Sequence, residues 1–202
     1  MKEDFLELLE SKTGGQVKSQ SFSRTGLFIT YVTGGTALAL SVICLPFISP
    51  AFRRVCLPYV PATTTQVQNV MKALEGKSGK VIDLGSGDGR IVMSAAQNGF
   101  LADGVELNLL LVLYSRLRAL RLGLSKKTSF FRQDLWKFKI TPYQNVVIFG
   151  VEEMMPELEE KCHRELHNNA NVIACRFPLS SLKPSQEIGS GIDSVWVYKI
   201  VK

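Results

Sequence analysis

The stretch Val81-Ile82-Asp83-Leu84-Gly85-Ser86-Gly87-Asp88-Gly89-Arg90 narrows the folds open to this 202-residue chain more than any other segment. A short apolar run carrying an acid passes through three glycines at alternate positions and enters a helix-forming segment. Glycines so placed let the backbone turn tightly and let a ligand lie against bare peptide. The helix that follows turns its amide ends toward the same place, which favours a carboxylate or phosphate. Such a strand–turn–helix unit opens an α/β domain rather than a helical bundle or an antiparallel sandwich.

The dinucleotide fingerprint G-x-G-x-x-G would put its third glycine at position 90, which is Arg90. The chain has G-x-G-x-G preceded by Asp83 instead. This resembles the first motif of class I S-adenosylmethionine-dependent methyltransferases, which are Rossmann-like domains of the seven-strand type. The resemblance implies S-adenosyl-L-methionine as cofactor, with Asp83 holding its amino-acid end against Gly85, Ser86, Gly87 and Gly89. A zwitterion fits that logic, with its ammonium toward the carboxylate and its carboxylate toward the helix N-terminus.

The rest of the soluble part keeps the same alternation. Val67, Val70, Met71 and Leu74 recur at helical spacing in an amphipathic helix over 63–74 that ends at Gly76. Strands are expected at 81–84, 101–107, 128–131, 145–149 and 171–177, with helices at 109–122 and near 156–167. A final alternating strand, 195–201, is expected at the sheet edge. Strands separated by helices predict a parallel sheet covered on both faces. Six strands are expected, one fewer than the seven-strand type requires.

Glu106 ends the second strand 21 residues after Gly85, and Asn108, two residues on, is expected beside it among the cofactor-binding residues. An acid there can accept both hydroxyls of a ribose. Asp134 follows the third strand. In class I methyltransferases an acid at that place receives the adenine amino group, and Leu135 is positioned to cover the ring. The alternative for Asp134 is a turn-forming aspartate.

Between Arg24 and Arg53 lie 28 residues without a charge. About 20 apolar residues span a hydrocarbon core as a helix. The expected organisation is a flexible, acidic segment at 1–25, a transmembrane helix at 26–48 and a methyltransferase domain at 49–202. A signal peptide fits less well, because the start is mixed in charge and the apolar run is too long. Arg53 and Arg54 would hold their end on the more negative side. Ser49-Pro50 reads as a helix start, and Pro58 and Pro61 enforce an extended stretch.

Residues 1–50 balance four basic against four acidic side chains, so the net charge of +6 belongs to 51–202. That surface suits an anionic partner. No basic stretch interleaved with aromatics marks a nucleic-acid groove. Cys44, Cys56, Cys162 and Cys175 form no C-x-x-C pair and read as reduced thiols. His163 and His167 stand at i, i+4, but Arg164 breaks the H-E-x-x-H pattern, so no metal is expected. No residue is identified as a catalytic base.

Several segments resemble one family, the small mitochondrial protein-lysine methyltransferases with a hydrophobic N-terminal anchor. They are 55–64, the glycine motif, Val105-Glu106-Leu107-Asn108, Asp134-Leu135-Trp136-Lys137, 147–151, 172–178 and 191–196. Members act on the adenine nucleotide translocase or on the ATP synthase c subunit, and 145–155 and 172–178 resemble the c-subunit-directed members more. The resemblance implies a lysine of a membrane protein as substrate and an inner-membrane location, with the catalytic domain facing the matrix. Leu109-Leu110 depart from the Pro-Trp pair expected after Glu-Leu-Asn.

Overall fold

A computed structural model describes residues 24–48 and 60–202. The acidic start of the chain, the Ser49-Pro50 helix start, Arg53, Arg54, Cys56 and Pro58 lie outside the described residues. The chain divides into two compact units, 1–44 and 45–202. The first contributes most of α1, Arg24–Ile48, a helix whose 24–42 segment is apolar and long enough to cross a membrane and is unburied. Thr30, Thr33 and Thr36 in it donate their hydroxyls to carbonyls one turn back, which satisfies three hydroxyl donors within the helix.

The second unit opens with α2 (Thr64–Leu74), capped by Thr63, whose hydroxyl accepts the Gln66 amide at 3.0 Å. Then come β1 (Val81–Leu84), α3 (Arg90–Gln97), β2 (Ala102–Glu106), α4 (Leu109–Arg121), β3 (Thr128–Arg132) and β4 (Asn145–Phe149). The chain continues through a 3-10 turn into α5 (Met155–Glu165), then β5 (Asn171–Cys175), β6 (Gln186–Ile188) and β7 (Val195–Lys199). The seven strands lie in the order β3-β2-β1-β4-β5-β7-β6. This is the seven-strand, Rossmann-like arrangement.

Every residue of β1 is buried, and β4 is buried through Ile148, so both strands read as continuous apolar runs rather than alternating ones. Successive side chains still go to opposite faces. Val81 and Val147 join a core with α2, α3 and α4, through Val70, Leu74, Ile91, Ala95 and Val112. Ile82, Leu84 and Ile148 join the other core, with Met155 and Leu158 of α5 and Leu166 just after it. Leu158, Cys162 and Leu166 form a fully buried apolar stripe, with His163 and His167 beside it.

Two expectations about the last third of the sheet are corrected. The missing strand is β6, three residues paired antiparallel to β7. The final strand is not an edge. It sits between β5 and β6 and runs antiparallel to β5. The connection from β5 to β7 contains only a three-residue 3-10 turn, Gly191–Asp193, and no α-helix to carry a parallel crossover, which antiparallel strands do not need. The fifth strand also stops at Cys175, because Arg176 turns to a left-handed φ of 73° and donates its amide to Ser194 O at 2.9 Å.

Candidate functional site

The strand order reverses between β1 and β4, the place where open α/β sheets bind ligands at their carboxyl ends. There the glycine turn is already built. Gly85 and Ser86 donate their amides to Val105 O at 2.8 and 2.9 Å, and Gly89 donates to Ser86 O at 2.8 Å. Gly85, Gly87 and Gly89 all take positive φ, of 83°, 52° and 75°, which side-chain-bearing residues resist.

The glycines differ in what surrounds them. A Cβ on Gly85 would meet nothing within 4 Å, so bare backbone faces open space there. A Cβ on Gly89 would come within 2.7 Å of the Phe130 ring and 2.9 Å of Ser115 Oγ, so this glycine packs α3 against its neighbours.

Asp83 is 2% exposed, and its Oδ1 has no hydrogen-bond partner. Burial, then the nearby charges of Glu106 and Asp88, push its carboxyl up to about 8. A buried carboxyl in that state lacks a cation. Ser86 Oγ is the other buried polar atom without a partner among the described residues. Both flank Gly104, which pairs with Asp83 in the β1–β2 register and leaves room for the Ser86 side chain. The Ser86 hydroxyl therefore turns in beneath the loop.

Glu106 Oε2 accepts the Gly87 amide at 3.0 Å and Oε1 accepts the Asn108 amide at 2.8 Å. Each oxygen keeps a second lone pair for a hydroxyl. Asn108 caps α4, its Oδ1 accepting from the Leu110 amide at 2.9 Å. Asp134 Oδ1 accepts the Trp136 amide at 3.0 Å, so this aspartate does form a turn, and Leu135 beside it is half-buried. The two readings of Asp134 are compatible, because its second oxygen is left over.

The N-terminus of α3 is shielded by its own acid. Asp88 Oδ1 accepts the Arg90 amide at 3.4 Å, and its carboxylate pairs with the Arg90 guanidinium at 2.7 Å. Burial raises the Asp88 pKa, but the hydrogen bonds and charge of Arg90 outweigh it and hold the group below its ordinary value. Arg90 also reaches Ala62 O, which ties the turn to the segment before α2.

Two residues that shape the site, Gly104 and Lys161, are not among those expected from the sequence. Lys161 is 2% exposed and donates to Phe138 O at 2.7 Å, Trp136 O at 3.2 Å and Glu165 Oε1 at 2.8 Å. It thereby fastens the turn that follows Asp134 to α5. A glycine two residues before a strand-end acid was the available signal for Gly104, and none marked Lys161. Glu152 and Glu153, after β4, are exposed. A concavity lined by Lys77, Asn98 and Gln144 lies at the amino ends of β1 and β4, opposite Asp83.

The site thus offers a cation-seeking buried carboxyl, an acid with spare acceptors and open space over bare backbone. Comparison with known proteins points the same way. Residues 83–186 match the family model described as the ANTKMT methyltransferase domain. Residues 22–53 match that of the N-terminal domain of the ATP synthase c-subunit lysine N-methyltransferase. The ATP synthase c-subunit lysine N-methyltransferase of Xenopus laevis is 55% identical over 87% of this chain and 77% of its own length. The adenine nucleotide translocase lysine N-methyltransferase of Mus musculus is 43% identical over 88% of this chain and 80% of its own. Among solved structures, an RNA methyltransferase of Salinibacter ruber in complex with S-adenosyl-L-homocysteine superposes with a TM-score of 0.67 at 24% identity. It covers 71% of this chain and 95% of its own, a likeness of fold.

Proposed function

The chain belongs to the family of lysine N-methyltransferases that includes the enzymes of the ATP synthase c subunit and the adenine nucleotide translocase, and from that premise we propose that it methylates a lysine of the ATP synthase c subunit at the mitochondrial inner membrane. It is an S-adenosylmethionine-dependent enzyme. The observation that carries the site assignment is the unpartnered Oδ1 of Asp83, buried next to the glycine turn. The choice of the c subunit is supported by the N-terminal family match at 22–53.

In this reading Asp83 gives up its proton and holds the ligand's ammonium. Glu106 accepts the ribose hydroxyls with its remaining lone pairs. Asp134 takes the adenine amino group with its second oxygen while Leu135 covers the ring. Gly85, Gly87 and Gly89 supply the backbone cradle, and Ser86 and Asn108 position it from beneath and beside. Held there, the cofactor supplies a methyl group on a sulfonium. A substrate lysine must arrive neutral, which from a pKa near 10.4 takes about 4 kcal/mol at pH 7.5. A desolvated approach lowers that cost. Glu152 and Glu153 are exposed, and neither is assigned a proton transfer.

The anchor reading rests on α1, with residues 26–48 crossing the bilayer and 49–202 forming the domain on the matrix side. The test is mass analysis of methyl-lysine on the c subunit in cells lacking the enzyme and rescued with the full chain. Restored methylation is expected. Methylation restored on the translocase instead would transfer the assignment to that substrate.

A further inference from the structure

Helix α4 is clothed in leucine on the side turned away from the sheet. Its inner seam is Val112, Ser115 and Ala119, which are all buried. Leu113, Leu117 and Leu120 stand 49%, 48% and 65% exposed, and Leu109 at the helix start is 43% exposed. The spacings i, i+4, i+8 and i+11 put all four on one stripe. Single exposed leucines are ordinary on a soluble protein, whereas a contiguous stripe marks a surface that is covered in use.

The charge around the stripe identifies the cover. From Leu107 to Gln133 the chain carries Arg116, Arg118, Arg121, Lys126, Lys127 and Arg132 and no carboxylate, a charge equal to the +6 of the whole chain. The remaining residues balance to zero. Arg116 spends its donors on Phe130 O, and Arg118 lies 3.5 Å from Asp88, while Arg121, Lys126 and Lys127 are exposed. Leucine on one face with cations beside it and no acids is the composition of a helix that lies in the interface of an anionic bilayer.

We propose that α4 is a membrane-docking helix, which lays the Leu109–Leu113–Leu117–Leu120 stripe into the headgroup region of an anionic leaflet while the neighbouring cations meet lipid phosphates. The contact is separate from any span by α1, although the two would act on one membrane. Because α4 begins directly after the Glu106–Asn108 turn, docking would bring the candidate cofactor site to the lipid surface.

The test uses the full chain in vesicles of phosphatidylcholine alone or mixed with phosphatidylglycerol. A nitroxide on Leu117→Cys reports lipid contact at α4, and one on Leu38→Cys reports α1. The unsubstituted chain treated alike gives the background from native thiols. Retained cofactor binding confirms that each variant is folded. The Leu117 label is expected to gain oxygen accessibility and lose contact with a water-soluble relaxant in anionic vesicles only. Reversing Arg121, Lys126 and Lys127 to glutamate should reduce the lipid-contacting fraction about tenfold or more. A Leu117 label that stays in water in anionic vesicles overturns the proposal. So does one shielded equally in both lipids with spin–spin broadening that dilution by unlabelled chain removes, which is the signature of a second copy. A Leu38 label outside lipid would refute the anchor reading alone, since the Leu117 result still decides the docking of α4.

Discussion

Glu106 Oε2 lies 3.0 Å from the Gly87 amide, so the last residue of β2 props the turn that leaves β1. The same carboxylate holds the Asn108 amide through its other oxygen. One side chain thus fixes both loops at the carboxyl end of the sheet, and the site is assembled before a ligand arrives. Preformed geometry of this kind spares the ordering cost of binding.

Glu106→Ala should therefore do more than remove an acceptor. Two amides lose their partner, and the cofactor is expected to bind about 1–3 kcal/mol more weakly, the scale for hydrogen bonds to a charged group. Glu106→Gln keeps one acceptor and should lose less. Isothermal calorimetry with S-adenosylmethionine measures both, and wild-type affinity in the two variants would show that the carboxylate is dispensable.

Asp83 carries a pH signature. Its folded pKa of about 8 lies above the 3.8 of the free group, so the folded protein binds the proton more tightly than the unfolded chain does. The stabilisation from that proton is fully present below pH 3.8 and is lost as pH rises to about 8. Denaturation midpoints of the cofactor-free protein should fall over that window, and Asp83→Asn should flatten the fall. A ligand ammonium stabilises the ionised form, so cofactor binding at pH 7 should release a proton and tighten toward pH 8. Calorimetry in buffers of different ionisation enthalpy detects the release, which Asp83→Asn should abolish.

Gly85→Ala and Gly89→Ala separate binding from packing. Both put alanine at a positive φ, a strain of about 1–2 kcal/mol. Only at Gly89 does the new methyl also strike Phe130 and Ser115. Chemical denaturation should place Gly89→Ala below Gly85→Ala in stability by about 1–3 kcal/mol, the usual range for overpacking. Gly85→Ala should instead show its main loss in cofactor affinity.

Lys161→Ala should be among the more destabilising single changes, by about 1–3 kcal/mol for each of the two carbonyls it strands, while Glu165 keeps the Arg164 guanidinium and the Ile140 amide. Lys161→Met fills the space and should recover part of the loss. Thermal melting ranks the three proteins, and a wild-type melt for Lys161→Ala would show that water replaces the ammonium.

What could be read from the chain follows from physical range. β1, β4 and the glycine turn announce themselves locally, through unbroken apolar runs and a spacing of glycines with one structural use. β6 could not be seen, because three residues with only Ile188 apolar carry no periodicity. The direction of β7 depends on what the preceding connection lacks, and alternation within the strand is the same in either direction. The inward turn of Ser86 depends on Gly104, eighteen positions away, which becomes its neighbour only through the β1–β2 register. Asn108 is expected from the sequence among the cofactor-binding residues, whereas its side-chain oxygen accepts the Leu110 amide and caps α4.

The first helix of the domain is fastened by its last turn. Thr63 donates to Asp193 Oδ1, Gln66 to Ile192 O at 3.1 Å and Asn69 to Asp193 O at 3.0 Å, the last two from buried side chains. On a ribosome or in a translocation pore the chain emerges in order, so α2 waits for nearly the entire domain before its amides find partners. Buried amides left without acceptors are costly, so α2 is not fully seated until the 191–193 turn is in place. The segments 63–69 and 191–193 therefore seat each other, and neither is fully packed before the other is present.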